Sequence, residues 1–100
     1  MTRYRVFRDA ERDLDGIFAY WAVRAGLDVV ERLIDAIMER FWVLGAHPEA
    51  GRACIDIGPG VRCSPAGKYL IYYRKGRRGI NISRIFHGAR SMKKPVGKKR

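Results

Sequence analysis

The stretch INISRIFHGAR, residues 80–90, sets an imidazole, His87, between two guanidinium groups, Arg84 and Arg90. A histidine flanked by cations can serve as a general base, as part of an anion clamp, or as a basic rim. Further cations stand close in sequence: Arg62 beside Cys63, Lys68 at the opening of KYLIYYR and Arg74 at its close. Strand edges lined by arginine and lysine hold phosphate well, the first as a bidentate fork and the second as a point charge. Arg62, Lys68 and His87 reach one side of a sheet if register allows, and residue types alone do not fix register. Cys54 and Cys63 lie nine apart, which is not a metal-ligand spacing, and the two histidines, His47 and His87, are remote from each other. No metal or cofactor is expected. The cysteines read as reduced, partly buried thiols, with a disulfide between neighbouring strands as the alternative.

The charge around these residues is unevenly placed. The chain carries a formal +11, yet residues 1–50 hold seven arginines, no lysine and nine acids, while residues 51–100 hold fourteen cations and one acid. The second half therefore attracts polyanions, whether nucleic acid or an acidic protein. Five of its cations lie in the KKPVGKKR terminus, residues 93–100, so the preceding residues are basic without it. A single domain over 1–91 and a disordered basic tail over 92–100 are expected. No apolar run has membrane-spanning length, and MTRYRVFRDAERDLD has no hydrophobic leader segment, which points to a cytoplasmic protein with no membrane partner.

Periodicity supplies the elements that must position the cations. RYRVFR alternates as a short strand, and Asp9 follows as an N-cap candidate. Leu14, Ile17, Phe18 and Trp21 make one apolar helical stripe, in which Gly16 suggests close approach of another element. Gly26 ends this helix and Asp28 caps a second, carrying Val30, Leu33, Ile34, Ile37, Met38, Phe41 and Leu44 up to Gly45 and His47-Pro48. From Gly51 the period changes: ACIDI, VRCS, KYLIYYR and INISRIF read as strands bounded by GPG, PAG and KGRRG. The expected fold is α+β: an N-terminal strand, an antiparallel two-helix hairpin, and a curved antiparallel sheet of three to four strands, in the order β-α-α-β-β-β.

The strand-to-helix passage ending AERDLDGIFAYW, then HPEAGR (47–52), GVR (60–62), GKYLIYYR (67–74) and INISRIFHGAR (80–90) follow one another over about ninety residues. In this order they resemble the RelE/ParE toxin superfamily, and its ParE branch in particular. Ser91 departs from that branch, which often has aspartate after the final HGxR. The resemblance implies a toxin of a type II toxin–antitoxin pair, of the kind tied to plasmid maintenance and stress response. ParE-like members are described as poisons of DNA gyrase with no established catalytic residue; RelE-like members cleave mRNA on the ribosome.

The two mechanisms ask different things of the same sheet. Attack by a 2′-hydroxyl needs a proton acceptor, a cation for the charge building on phosphate, and a proton donor for the leaving oxygen. By the RelE-like resemblance, Arg62 would carry the second role and His87 the first or third, with Lys68 and Arg90 in support and Asp56 as the one carboxylate ahead of the arginine strand. The ParE-like reading makes His87 a cap at the sheet end that bonds a carbonyl. It makes Arg62, Arg74, Arg84 and Arg90 parts of a cationic surface for an acidic partner. The implied partners are DNA gyrase and a ParD-like antitoxin with an acidic segment that folds on the toxin, giving a toxin–antitoxin hetero-oligomer. Phe18, Trp21 and Trp42 are the apolar contact candidates.

Overall fold

The computed structural model describes residues 3–88. The chain runs β1 (Tyr4–Val6), α1 (Arg8–Ala25), α2 (Leu27–Ala46), β2 (Arg52–Ala53), β3 (Arg62–Ala66), β4 (Tyr69–Gly76) and β5 (Gly79–His87). The strands form one five-stranded sheet in the order β1-β5-β4-β3-β2, so the expectation of three to four antiparallel strands is corrected. β1 joins at one edge and pairs parallel to β5, from Tyr4↔Ile80 to Val6↔Ile82. The other neighbours are antiparallel.

The helices begin one or two residues before the expected caps. Phe7 and Gly26 occupy the cap positions without a side-chain bond, and Asp9 and Asp28 lie in the first turns, where the helix dipole still favours a carboxylate. Gly26 alone separates α1 from α2. Its φ of 91° is open to glycine and costly for other residues, so one position can reverse the chain. The α1 stripe is also shifted: Ala10, Leu14, Ile17 and Trp21 face the core, and Phe18 is 40% exposed. On α2, Val30, Ile37, Phe41 and Leu44 are buried, while Met38 is exposed. Nothing stands within 4 Å of a Cβ placed on Gly16, so the close approach expected there does not occur.

The main core lies between the hairpin and one face of the sheet, where Ile37, Phe41 and Leu44 meet Ile71, Tyr73, Ile80, Ile82 and Ile85. Burial of these side chains contributes roughly 1.5–3 kcal/mol each. A smaller cluster, Val61, Cys63, Leu70 and Tyr72 with Cys54 and Phe86, forms separately. Of the expected ACIDI strand only Ala53 pairs with β3, together with Arg52 just before it. Residues 55–57 turn instead, and Cys54 N–H donates to the Val61 carbonyl at 2.8 Å. That turn returns Cys54 to Cys63 with Cα atoms 6.1 Å apart, and the two are joined as a disulfide. The expectation of reduced thiols is corrected on this point.

A bulge in β5 decides which way the basic residues face. Tyr72 pairs with Arg84 and Tyr73 with Ile82, so Ser83 is the extra residue, and its hydroxyl donates to the Tyr72 carbonyl at 3.1 Å. Ile80 and Ile82 join the main core, and beyond the bulge Ile85 joins it too. Strict alternation from Ile82 would instead have sent Arg84 and Phe86 to that face.

Candidate functional site

Arg62 opens β3 opposite Tyr73, at the end of the sheet nearest the segment that leaves α2. Its Nε and Nη2 donate to the Gly51 carbonyl at 3.1 and 2.6 Å, and Nη2 also donates to the Glu49 carbonyl at 3.2 Å. The Tyr73 hydroxyl completes the junction. It donates to the Pro48 carbonyl at 2.8 Å and accepts from Gly51 N–H at 2.9 Å. Gly51 is buried against Tyr73, and a Cβ there would collide with the phenol oxygen. HPEAGR, GVR and GKYLIYYR thus meet at one structural lock, in which a buried amide and carbonyls that need partners find them.

His87 lies at the other end of the sheet. It pairs with Tyr69, four residues before Tyr73 on β4, a separation of about 13 Å along the strand from the Arg62 position. β4 also lies between the two. The imidazole meets the Tyr69 ring edge to face at 5.4 Å, and the Tyr69 hydroxyl accepts from Trp21 Nε1 at 2.8 Å. His87 Nδ1 is buried with no hydrogen-bond partner among the described residues, so the expected bond to a carbonyl is absent at that nitrogen. Lys68 stands exposed in the β3–β4 turn, and its carbonyl accepts from Gly88 N–H at 2.7 Å. Asp56 is exposed in the 55–57 turn, and Arg90 lies outside the described residues. Register therefore does not bring Arg62, Lys68 and His87 together.

Arg84 and Arg74 are held by neighbouring elements. Arg84 forms a two-pronged pair with Asp13 of α1, Nε to Oδ2 at 2.8 Å and Nη2 to Oδ1 at 3.0 Å. Its guanidinium also lies 4.3 Å from the centre of the Phe86 ring. The bond to Asp13 is the main reason that the Arg84 pKa rises above the ordinary guanidinium value. Asp13 Oδ2 further accepts the Ile85 N–H at 2.8 Å, where β1 has already left the edge of β5. Sequence periodicity gives no sign of this contact, because Asp13 stands as one of several acids near the start of the helix. Arg74 donates to the Pro59 carbonyl at 2.6 Å, and Lys75 bonds Glu49 at 2.6 Å. The hydrogen bond from Lys75, and then its charge, hold the Glu49 carboxyl below the usual glutamate range.

The apolar candidates divide in the same way. Trp21 is half-buried against the core and bonded to Tyr69. Phe18 and Trp42 are 40% and 53% exposed, and Trp42 lines an open groove with Tyr4, Asp35, Met38, Glu39 and Val43. No helix among the described residues is long and apolar enough to cross a membrane.

The described residues form a small α+β scaffold with exposed aromatics and arginines on its surface. The family described as "ParE toxin of type II toxin-antitoxin system, parDE" matches residues 4–92, and the chain belongs to it. It is 31% identical over 87 residues to Toxin ParE1 of Mycobacterium tuberculosis, covering 86% of this chain and 89% of that protein. Toxin ParE1 of Caulobacter vibrioides is 27% identical over 97 residues, covering 97% of this chain and all of the relative. A solved structure titled "Chromosomal ParDE TA system from P. aeruginosa" shares the fold, with a TM-score of 0.74 at 24% identity over 84% of this chain and 92% of that one.

Proposed function

We propose that this ParE-family toxin inhibits DNA gyrase by protein contact, without cutting a phosphodiester, and that a cognate antitoxin neutralises it. The placement of Arg62 carries the reading. Its Nε and Nη2 are taken up by the Gly51 and Glu49 carbonyls, and it sits at the opposite end of the sheet from His87 and Lys68. In-line attack on phosphate needs those groups within hydrogen-bond reach of one substrate. The antitoxin would offer an acidic segment that folds on binding, with apolar side chains against exposed Phe18 and Trp42 and carboxylates toward the arginines of the sheet. A gyrase target would place the toxin in the cytoplasm, and the antitoxin would hold it in a hetero-oligomer.

The test runs purified toxin against supercoiling by purified gyrase, beside an mRNA cleavage assay on ribosomes. Loss of supercoiling or trapped DNA breaks, without mRNA cuts, is expected, and added antitoxin should relieve the effect. Codon-placed cuts abolished by Arg62→Ala and His87→Ala would overturn the reading in favour of a ribosome-dependent endoribonuclease.

A further inference from the structure

The β4–β5 hairpin runs out past its neighbours. β3 follows β4 only to Arg62↔Tyr73, and β1 meets β5 from Ile80 onward, so residues 74–79 form a two-stranded ribbon flanked by no other strand among the described residues. Four cations, Arg74, Lys75, Arg77 and Arg78, occupy five positions of this ribbon, and all four are exposed. Arg74 and Lys75 brace its base through the Pro59 carbonyl and Glu49. Among the described residues, Arg77 and Arg78 at the tip have no ion pair or side-chain hydrogen bond. Gly76 and Gly79 pair beside them; the Asn81 side chain packs on the first and the Arg3 backbone on the second, which fixes the base of the tip and leaves Arg77 and Arg78 projecting beyond it.

We propose that this ribbon tip docks on the phosphate backbone of duplex DNA. An acidic protein would call for apolar anchors beside the charges, and residues 74–79 contain none. Unpaired bases would call for a stacking ring, and the same residues contain no aromatic. A two-stranded ribbon fits the width of the B-DNA major groove, whereas the A-form groove of RNA is too deep and narrow to admit it. Guanidinium forks hold phosphate in two-pronged geometry, and Arg77 and Arg78 have that geometry free. The proposal does not rest on gyrase inhibition, because the contact is to DNA itself and is measured without the enzyme.

The experiment uses the full chain and a labelled duplex of roughly two helical turns, with binding followed by fluorescence anisotropy over a salt series. Replacing both tip residues (R77A/R78A) should reduce the slope of log affinity against log salt by about 1.8, near 0.9 for each phosphate left unneutralised. R77K/R78K should keep the salt slope, because each lysine still neutralises a phosphate, and lose part of the affinity, because the two-pronged bond is gone. The terminal cations also attract phosphate, so R77A/R78A is repeated on a K98A/K99A background, where the same decrement is expected. Both tip residues are exposed, so the thermal unfolding midpoint should not move. An unchanged slope in R77A/R78A would overturn the proposal. So would tip-dependent binding to polyglutamate or single-stranded RNA that is tighter than binding to the duplex.

Discussion

Arg62 and His87 carry the types of group that phosphodiester cleavage uses, and their neighbours give each a different task. A guanidinium that bonds the carbonyls of Gly51 and Glu49 works as a clasp between β3 and the exit of α2. Arg62→Ala should therefore lower stability by about 2 kcal/mol, since the partly buried Gly51 carbonyl loses a charged donor. Urea unfolding checks this, and an unchanged midpoint would contradict the clasp. Tyr73→Phe, which strands the Gly51 amide, should cost about 1–3 kcal/mol. Glu49 gives a prediction in pH. Its carboxyl titrates below the ordinary glutamate range because Lys75 bonds the charged form. What it contributes to stability is thus present above the unfolded-state pKa and is lost as pH falls through the lower folded value. An NMR titration of the Glu49 side chain should show that low midpoint, and Lys75→Met should move it up toward the ordinary value.

Element order was legible from the sequence, and so were the helical hairpin and the antiparallel run of β3, β4 and β5; the place of the first strand was not. The helices and the three long strands announce themselves by period and by glycine at their ends. A three-residue strand such as Tyr4–Val6 carries no signal naming β5 as its parallel partner. The single extra residue Ser83 looks like any polar strand position, yet it decides that Ile85 joins the core. The disulfide was open for a related reason: it depends on a turn at 55–57, within a run whose β-branched residues read as strand. The cations are recognisable one by one, but the sequence leaves their grouping open, and register sends Arg62 and His87 to opposite ends of β4. Asp13 matters most between elements, because it ties the first turns of α1 to the uncovered edge of β5. Its side chain is 15% exposed against 41% for Arg84, so losing the carboxylate leaves the Ile85 amide without its acceptor, while the freed Arg84 can hydrate. Asp13→Ala should cost about 2 kcal/mol and Arg84→Met about 1 kcal/mol or less. The order of the two denaturation midpoints is the check.

Across the whole molecule, net positive charge gathers on the strand half, while most of the exposed large apolar side chains lie on the helices, and this asymmetry predicts kinetics. Among residues 51–88 there are eight cations and one acid, whereas the helices carry most of the acids. An acidic antitoxin segment would be drawn toward the sheet by this field before any side chain packs, and salt screens such a field over about 8–10 Å. On the proposed reading, exposed Phe18 and Trp42 would be seated afterwards, and that step would depend on apolar burial, which moderate salt does not screen. The two contributions should therefore part in a stopped-flow measurement with the cognate antitoxin. Raising salt from about 0.05 to 0.3 M should slow association by roughly tenfold with little change in dissociation. Trp42→Ala should leave association nearly as it was and speed dissociation by about tenfold or more, the range expected for a buried aromatic anchor. Association indifferent to salt would mean that the cationic half faces away from the antitoxin. Dissociation indifferent to Trp42→Ala would move the apolar seat to another face of the hairpin.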